Sequence, residues 1–334
     1  MLRYSDLRNL IFSPIQALLF IATLLPLLAS AADYDRCSII VADEDRLACY
    51  DQVVTGVETT TLAHNKSGSY LGERWELDAS SKKGTFRFRE HKPVYILPLH
   101  YSNDPMEIPS SPAPGHSVLS PLTAGSTEVK YQLSFKTKLW EDIIGDYGDL
   151  WFAYTQQSHW MLYSPQVSSP FRETNYEPEI IFTMRTDVDL LGMHWRMLNL
   201  GLTHQSNGRD LPQSRSWNRF YAQFGLERGE YSLLLRPWLR LPEQNEDDDN
   251  PDISRYMGHG DLMFNYKYGD RLFTLLARHN LSSAHGALQL SWDFPIAHAL
   301  KGYVQIFSGY GESLIDYNHK QTSLGVGISL RDWR

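Results

Sequence analysis

Much that would simplify a functional reading is missing from this 334-residue chain. Beyond its first thirty residues it has no long apolar run, and mean hydropathy is −0.37, which excludes a bundle of membrane helices. No block of basic residues occurs and the net charge is −8, so nucleic acid is a poor partner. There are only two cysteines, Cys37 and Cys49, too few for a cysteine-based metal site. No G-x-S-x-G is present, which leaves an α/β-hydrolase unsupported. His259, His279, His285 and His298 do not share metal-ligand spacing on one face. Gly309–Tyr310–Gly311 is followed by no helix pattern and is not a phosphate loop.

What is present begins with an export signal. Arg3 and Arg8 precede the apolar core Ala17–Leu28, which runs into Ala29–Ser30–Ala31. A positive start, a core of this length and an A-x-A site predict a secretory signal peptide over 1–31. Cleavage there is followed by no cysteine, which disfavours a lipoprotein. In an oxidising compartment Cys37 and Cys49 are expected to form a local disulfide. Residues 32–84, polar and charged, are expected to be a small N-terminal periplasmic extension.

From residue 85 the pattern is β. Apolar residues recur at alternate positions, as in Tyr231, Leu233, Leu235, Leu239 and Leu241 against Ser232, Arg236, Trp238 and Arg240. Twelve strands are predicted: 85–101, 127–140, 148–160, 176–188, 193–206, 215–228, 230–241, 254–268, 270–281, 284–294, 298–309 and 320–333. A soluble sandwich also alternates, so connection lengths decide. They run long, short, long, short, the outer-membrane pattern of external loops and periplasmic turns. Aromatics at 13% suit membrane interfaces. The expected fold is all-β, a twelve-stranded antiparallel transmembrane β-barrel over 85–334.

One hairpin breaks the pattern. Leu198, Leu200, Leu202, His204 and Ser206 share a face, and across the loop Asn218 shares one with Phe220 and Phe224. In a barrel that face meets lipid, where polar groups are costly. His204 and Ser206 are two apart, a rise of roughly 6.6 Å, so both point the same way. A serine needs a base and the base an orienting group, and Asn218 on the next strand can accept from the ring. Interfacial girdle residues are the bland reading; three matched positions favour catalysis on lipid.

The segments HQSNGRDLPQSRSWNR, SSPFRETNYEP, DDNPDISRYMG and SGYGESLIDYN closely resemble the bacterial outer membrane phospholipase A family in order and spacing. The resemblance covers about 85–334. It implies a calcium-dependent esterase of phospholipids and lysophospholipids, cleaving sn-1 and sn-2 acyl esters, embedded in outer-membrane lipid and activated by reversible homodimerisation. By matching positions, Ser206 is the nucleophile, His204 the base, Asn218 its partner and Gly208 N–H an oxyanion donor. Calcium ligands map onto the Arg209 carbonyl, Ser214, Asp249 and Ser168 of the facing subunit, and Gln156 matches an interface glutamine. Many family members carry Asp where this chain has Leu211, with Asp210 next door. The competing expectation is a small porin or transport barrel without catalysis.

Overall fold

The computed structural model describes residues 69–330 except 123–124, 146, 165–170 and 298–299, and isolated residues 42, 46 and 47. The expected signal peptide, the Cys37–Cys49 pair and Ser168 lie outside the described residues.

Period-two alternation closes into a barrel. The strands are β1 Phe88–Arg89, β2 Val94–Ser102, β3 Thr127–Trp140, β4 Asp149–Trp160, β5 Phe171–Leu190, β6 Met193–Ser206, β7 Ser216–Arg228, β8 Tyr231–Arg240, β9 Gly260–Tyr268, β10 Arg271–Asn280, β11 His285–Ala297, β12 Leu300–Tyr310 and β13 Lys320–Leu330. Each from β2 to β13 pairs antiparallel with its neighbours, and β13 pairs back onto β2, so twelve strands form an edgeless ring. The expected twelve-stranded barrel is borne out. β1 is an extra two-residue bridge to β3.

Two expected strands are corrected. The span 85–101 is broken between β1 and β2, because Glu90–Pro93 leaves the sheet for partners inside. His91 Nε2 lies 2.9 Å from Glu179 and Lys92 Nζ donates to Glu177 at 2.6 Å. The strand 254–268 starts only at Gly260. Ile253–Met257 is instead a short helix, α2, closed by Gly258 at φ +75°. Its Ile253 and Met257 are buried with Trp238, so burial of an apolar turn overrides the strand reading. No helix among the described residues is long and apolar enough to cross a membrane.

The two faces have opposite chemistry. Leu202, Leu235, Leu288, Leu290, Ile306 and Leu324 stand on the outside, whereas Lys130, Glu128, Arg172, Glu179, Arg219 and Asp261 are buried within. Buried charge must be paired. Arg172 donates to Glu128 and Asp316 at 3.0 Å, Lys130 to Glu312 at 2.8 Å and Arg219 to Glu177 at 3.0 Å. Tyr221 OH donates to Glu179 at 2.8 Å. A Cβ at Gly201 would lie 2.2 Å from the Tyr221 ring, so only glycine there lets the ring cross β6.

The end of the barrel with short turns is plugged by helix α1, Tyr70–Trp75. Ser69 caps it, its hydroxyl accepting from Gly72 N–H at 2.7 Å. Leu71 and Trp75 enter the main apolar cluster with Trp151 and Met197. The buried Lys136 ammonium makes no hydrogen bond and lies 3.1 Å from the Trp75 ring centroid, a cation–π contact. Asp78 ties the segment to Arg196 at 2.7 Å, and Glu76 accepts from Arg89 at 2.7 Å and pairs with Lys138 at 3.0 Å.

Trp75→Ala is expected to destabilise the barrel by about 3–5 kcal/mol, since it opens a cavity and strands Lys136; urea unfolding followed by fluorescence measures this. Burial alone would raise the Glu76 carboxyl, but its bonds from Arg89 and Lys138 outweigh that and hold it below the usual carboxylate range. Its stabilisation is therefore full above the unfolded carboxylate value and lost as pH falls through the depressed one. Limited proteolysis should find 69–84 protected near neutrality and cleaved only in strong acid.

Candidate active site

The site forms where β6 and β7 end at the long-loop rim. Their register places His204 directly opposite Asn218 and Ser206 opposite Ser216. Parity then decides direction. Thr203, Trp217 and Arg219 are buried in the lumen, so His204 and Ser206, of opposite parity, face out with the exposed Leu202.

His204 and Asn218 are in contact, with Nδ1 2.8 Å from Asn218 Oδ1. The other end of the same amide donates from Nδ2 to Glu243 Oε1 at 2.7 Å. Ser206 shares the outward face, but no hydrogen bond joins its hydroxyl to His204 in this structure. Such bonds are often long before substrate arrives.

The loop 207–215 is pinched shut by Asn207. Its Oδ1 accepts from Arg215 N–H at 2.9 Å and Arg209 N–H at 3.3 Å, and its Nδ2 donates to the Gln213 carbonyl at 2.8 Å. This holds Gly208 at φ +60°. A Cβ there would press on the Tyr176 ring at 3.2 Å. Gly208 N–H has no acceptor among the described residues, so it is free to donate. The Arg209 guanidinium turns back to β5, donating to the carbonyls of Phe171 at 2.7 Å and Arg172 at 2.6 Å.

Two of the expected calcium ligands meet. Ser214 Oγ donates to Asp249 Oδ2 at 2.8 Å, Ser216 Oγ to the same oxygen at 3.1 Å, and His116 Nε2 lies 2.9 Å from Oδ1. Hydroxyl, carboxylate and carbonyl oxygens are the hard donors Ca²⁺ takes. A second cluster, His100, Glu128 and His159, lies in the lumen. Two of its three donors are nitrogens, and Arg172 stands 3.3 Å from His159. It fits an ion-pair network better than calcium.

Gln156 is half-buried on β4, where its Oε1 accepts from Tyr154 OH at 3.2 Å and its Nε2 donates to Ser158 Oγ at 3.3 Å. The pairing Gln156–Tyr176–Ser206–Ser216 runs straight across β4 to β7. Gln156 is thus two strands from Ser206, roughly 10 Å at strand spacing. Leu211 is exposed on the loop.

Behind the site, the other sequence segments converge. Leu314 N–H donates to Asn175 Oδ1 at 2.9 Å, Asp316 accepts from Arg172, and Tyr317 OH donates to Asp252 at 2.6 Å.

Residues 71–330 match a family model described as Phospholipase A1. The chain belongs to the phospholipase A1 family. A Neisseria meningitidis relative of the phospholipase is 45% identical over 268 residues, 78% of this chain and 70% of that one. Phospholipase A1 of Escherichia coli K12 is 43% identical over 209 residues, 63% of this chain and 71% of that one. The solved outer membrane phospholipase A from E. coli aligns with a TM-score of 0.67 at 37% identity, over 75% of this chain and all of that chain. A Salmonella typhi structure, an outer membrane phospholipase dimer with bound calcium, aligns with a TM-score of 0.69 at 34% identity, over 79% of this chain and 98% of that chain. A further E. coli structure, of an active-site mutant with asparagine changed to alanine, gives 0.68 at 33% identity, over 79% of this chain and 99% of that chain. This chain is therefore an outer-membrane β-barrel with phospholipase activity.

Sequence reading missed several residues around the site. Asn207 precedes a glycine, an Asn-Gly turn signal that was available. Glu243 fell in an acidic loop that reads as solvated. His116 reaches Asp249 from the distant loop 103–126, with no local signal at all.

Gly208→Ala is expected to lower fatty-acid release at least about tenfold by disturbing a donor position. Its thermal unfolding should move by only a few degrees, since one left-handed residue costs about 1 kcal/mol; parallel activity and melting measurements check both.

Proposed function

We propose that the phospholipase is a calcium-dependent serine esterase of the outer leaflet. It removes sn-1 and sn-2 acyl chains from phospholipids and lysophospholipids, and it works as a reversibly formed homodimer. The observation that carries this reading is the outward His204–Asn218 pair at 2.8 Å, two residues from Ser206 on the lipid face. The active-site asparagine named for the E. coli relative supports it.

In this mechanism Ser206 Oγ attacks the acyl carbonyl while His204 Nε2 takes its proton. Asn218 keeps the ring oriented through Nδ1. Gly208 N–H donates to the carbonyl oxygen as negative charge develops there. His204 then gives the proton to the departing alcohol oxygen, and lysophospholipid leaves. Water attacks the acyl-serine with His204 again as base, releasing fatty acid and restoring Ser206.

Calcium would be held by the Arg209 carbonyl, Ser214, Asp249 and Ser168 of the partner subunit. When bound it supplies positive charge close to the developing oxyanion. The neighbouring oxygens of Ser214 and Asp249 suit it, as does the calcium in the Salmonella relative. Asp210 takes the place of an acidic group where Leu211 has none. Gln156 lies at the proposed dimer interface, where a polar side chain on a lipid face gains by pairing with its symmetry mate. Residues 1–31 are the export signal. Residues 32–84 are the periplasmic extension, which carries the Cys37–Cys49 disulfide and ends in the lumenal plug. A transport barrel is disfavoured, since buried ion pairs cross the lumen and α1 plugs one end of it.

The test is fatty-acid release from phospholipid in detergent, with and without Ca²⁺. Ser206→Ala is expected to lose roughly 1,000-fold or more, and a calcium chelator should abolish wild-type turnover. Undiminished release by Ser206→Ala, or indifference to chelation, would overturn the reading.

A further inference from the structure

We infer that Glu243 is a positioning residue of the reaction: it locks the Asn218 amide and lends, through it, the negative charge that the His204–Asn218 pair lacks. The inference rests on the Ser206, His204 and Asn218 roles just proposed. A neutral asparagine orients an imidazole but does little for the positive charge that appears when the ring takes the serine proton. A carboxylate one hydrogen bond further out can do both.

The geometry is a chain of three side chains from two strands and a loop. Asn218 Nδ2 donates to Glu243 Oε1 at 2.7 Å, and Asn218 Oδ1 lies 2.8 Å from His204 Nδ1. An ionised carboxylate only accepts. The asparagine end that faces Glu243 must therefore be its NH₂, and the amide cannot flip. Its oxygen is left facing His204, which requires the ring hydrogen on Nδ1. Nε2 is then bare, the state needed to take a proton from Ser206. The backbone supports the same arrangement, because Leu241 N–H donates to the Asn218 carbonyl at 2.8 Å and starts the loop against β7.

The carboxylate is placed to act at a distance. Its side chain is only 14% exposed, and Oε2 has no hydrogen bond. The charged groups around it are Arg240 at the end of β8 and Asp248 and Asp249 in its own loop. Arg240 is 4.0 Å from Oε2 and already bound to Asp248 at 2.6 Å, so it does not cancel the charge. β7 presents the neutral Asn218, with His204 of β6 beyond it. Burial pushes the Glu243 carboxyl up, the Asn218 bond and Arg240 draw it back, and the two aspartates push it up again. Protonation would let Glu243 donate as well as accept and so release the amide.

The experiment measures kcat and KM for lysophosphatidylcholine hydrolysis across pH, using the full chain in detergent micelles at saturating Ca²⁺. Glu243→Gln is expected to lower kcat roughly 10- to 100-fold, the loss of one charge-assisted bond, with KM within about twofold. Its acid limb should move to lower pH, because removing a negative charge makes the imidazolium harder to form. A purely structural residue would not move that limb. Combining Asn218→Asp with Glu243→Gln returns the charge next to His204 and exchanges donor and acceptor, so kcat should recover at least about tenfold over Glu243→Gln alone. Glu243→Ala, judged folded by thermal unfolding, provides a second reading should the glutamine variant not fold. Wild-type kcat with an unmoved acid limb, or a double variant no faster than the single, overturns the inference. Ser206→Ala in the same assay separates this failure from failure of the catalytic reading: an active Ser206→Ala enzyme sinks that reading, whereas an inactive one beside a normal Glu243→Gln enzyme sinks only the role of Glu243.

Discussion

Paired charge in the lumen is the constraint on which this protein depends. A closed strand ring in lipid has to put its leucines outside, which leaves lysines, arginines and glutamates to fill the centre. Unpaired, they would be prohibitive. Lys130 with Glu312, Arg172 with Glu128 and Asp316, and Arg219 with Glu177 meet that requirement. The same pairs fix the height of β5 and β7 relative to the loops that fold inward. Lumen and active face are thus two sides of one set of strands, and order on the inside is transmitted by strand parity to the outside.

The sequence segments divide accordingly. HQSNGRDLPQSRSWNR carries the outward polar trio. SSPFRETNYEP and SGYGESLIDYN meet inside, through Arg172 and Asp316, and brace the upper end of β5. DDNPDISRYMG joins them by the Tyr317–Asp252 bond and brings Asp249 to Ser214. Much of what looks like a family signature is scaffold holding a few exposed atoms.

How far the sequence could be read follows from the range of each interaction. Alternation is local, so the strands, their number and the outward direction of His204 and Ser206 were legible without coordinates. Cross-strand partners one hairpin apart, His204 and Asn218, were also within reach, because alternation puts both on the same face of adjacent strands. Contacts between distant loops were not. His116 lies more than a hundred residues from Asp249, and Glu243 sits in a run of acids with nothing to mark it from its neighbours. The Ile253–Met257 turn was missed for a different reason. Its apolar residues satisfy a strand pattern equally well, and only burial against Trp238 selects the helix.

The row Gln156, Tyr176, Ser206 and Ser216 crosses four hydrogen-bonded strands without a step. With barrel strands tilted roughly 35–45° from the axis, that row climbs obliquely across the edgeless wall. None of its side chains can travel along the membrane normal, because sliding one strand would flip every residue on it between lipid and lumen. Whatever lipid group meets one of these side chains must come to that residue's depth, so the barrel samples the bilayer at fixed levels and leaves vertical motion to the lipids.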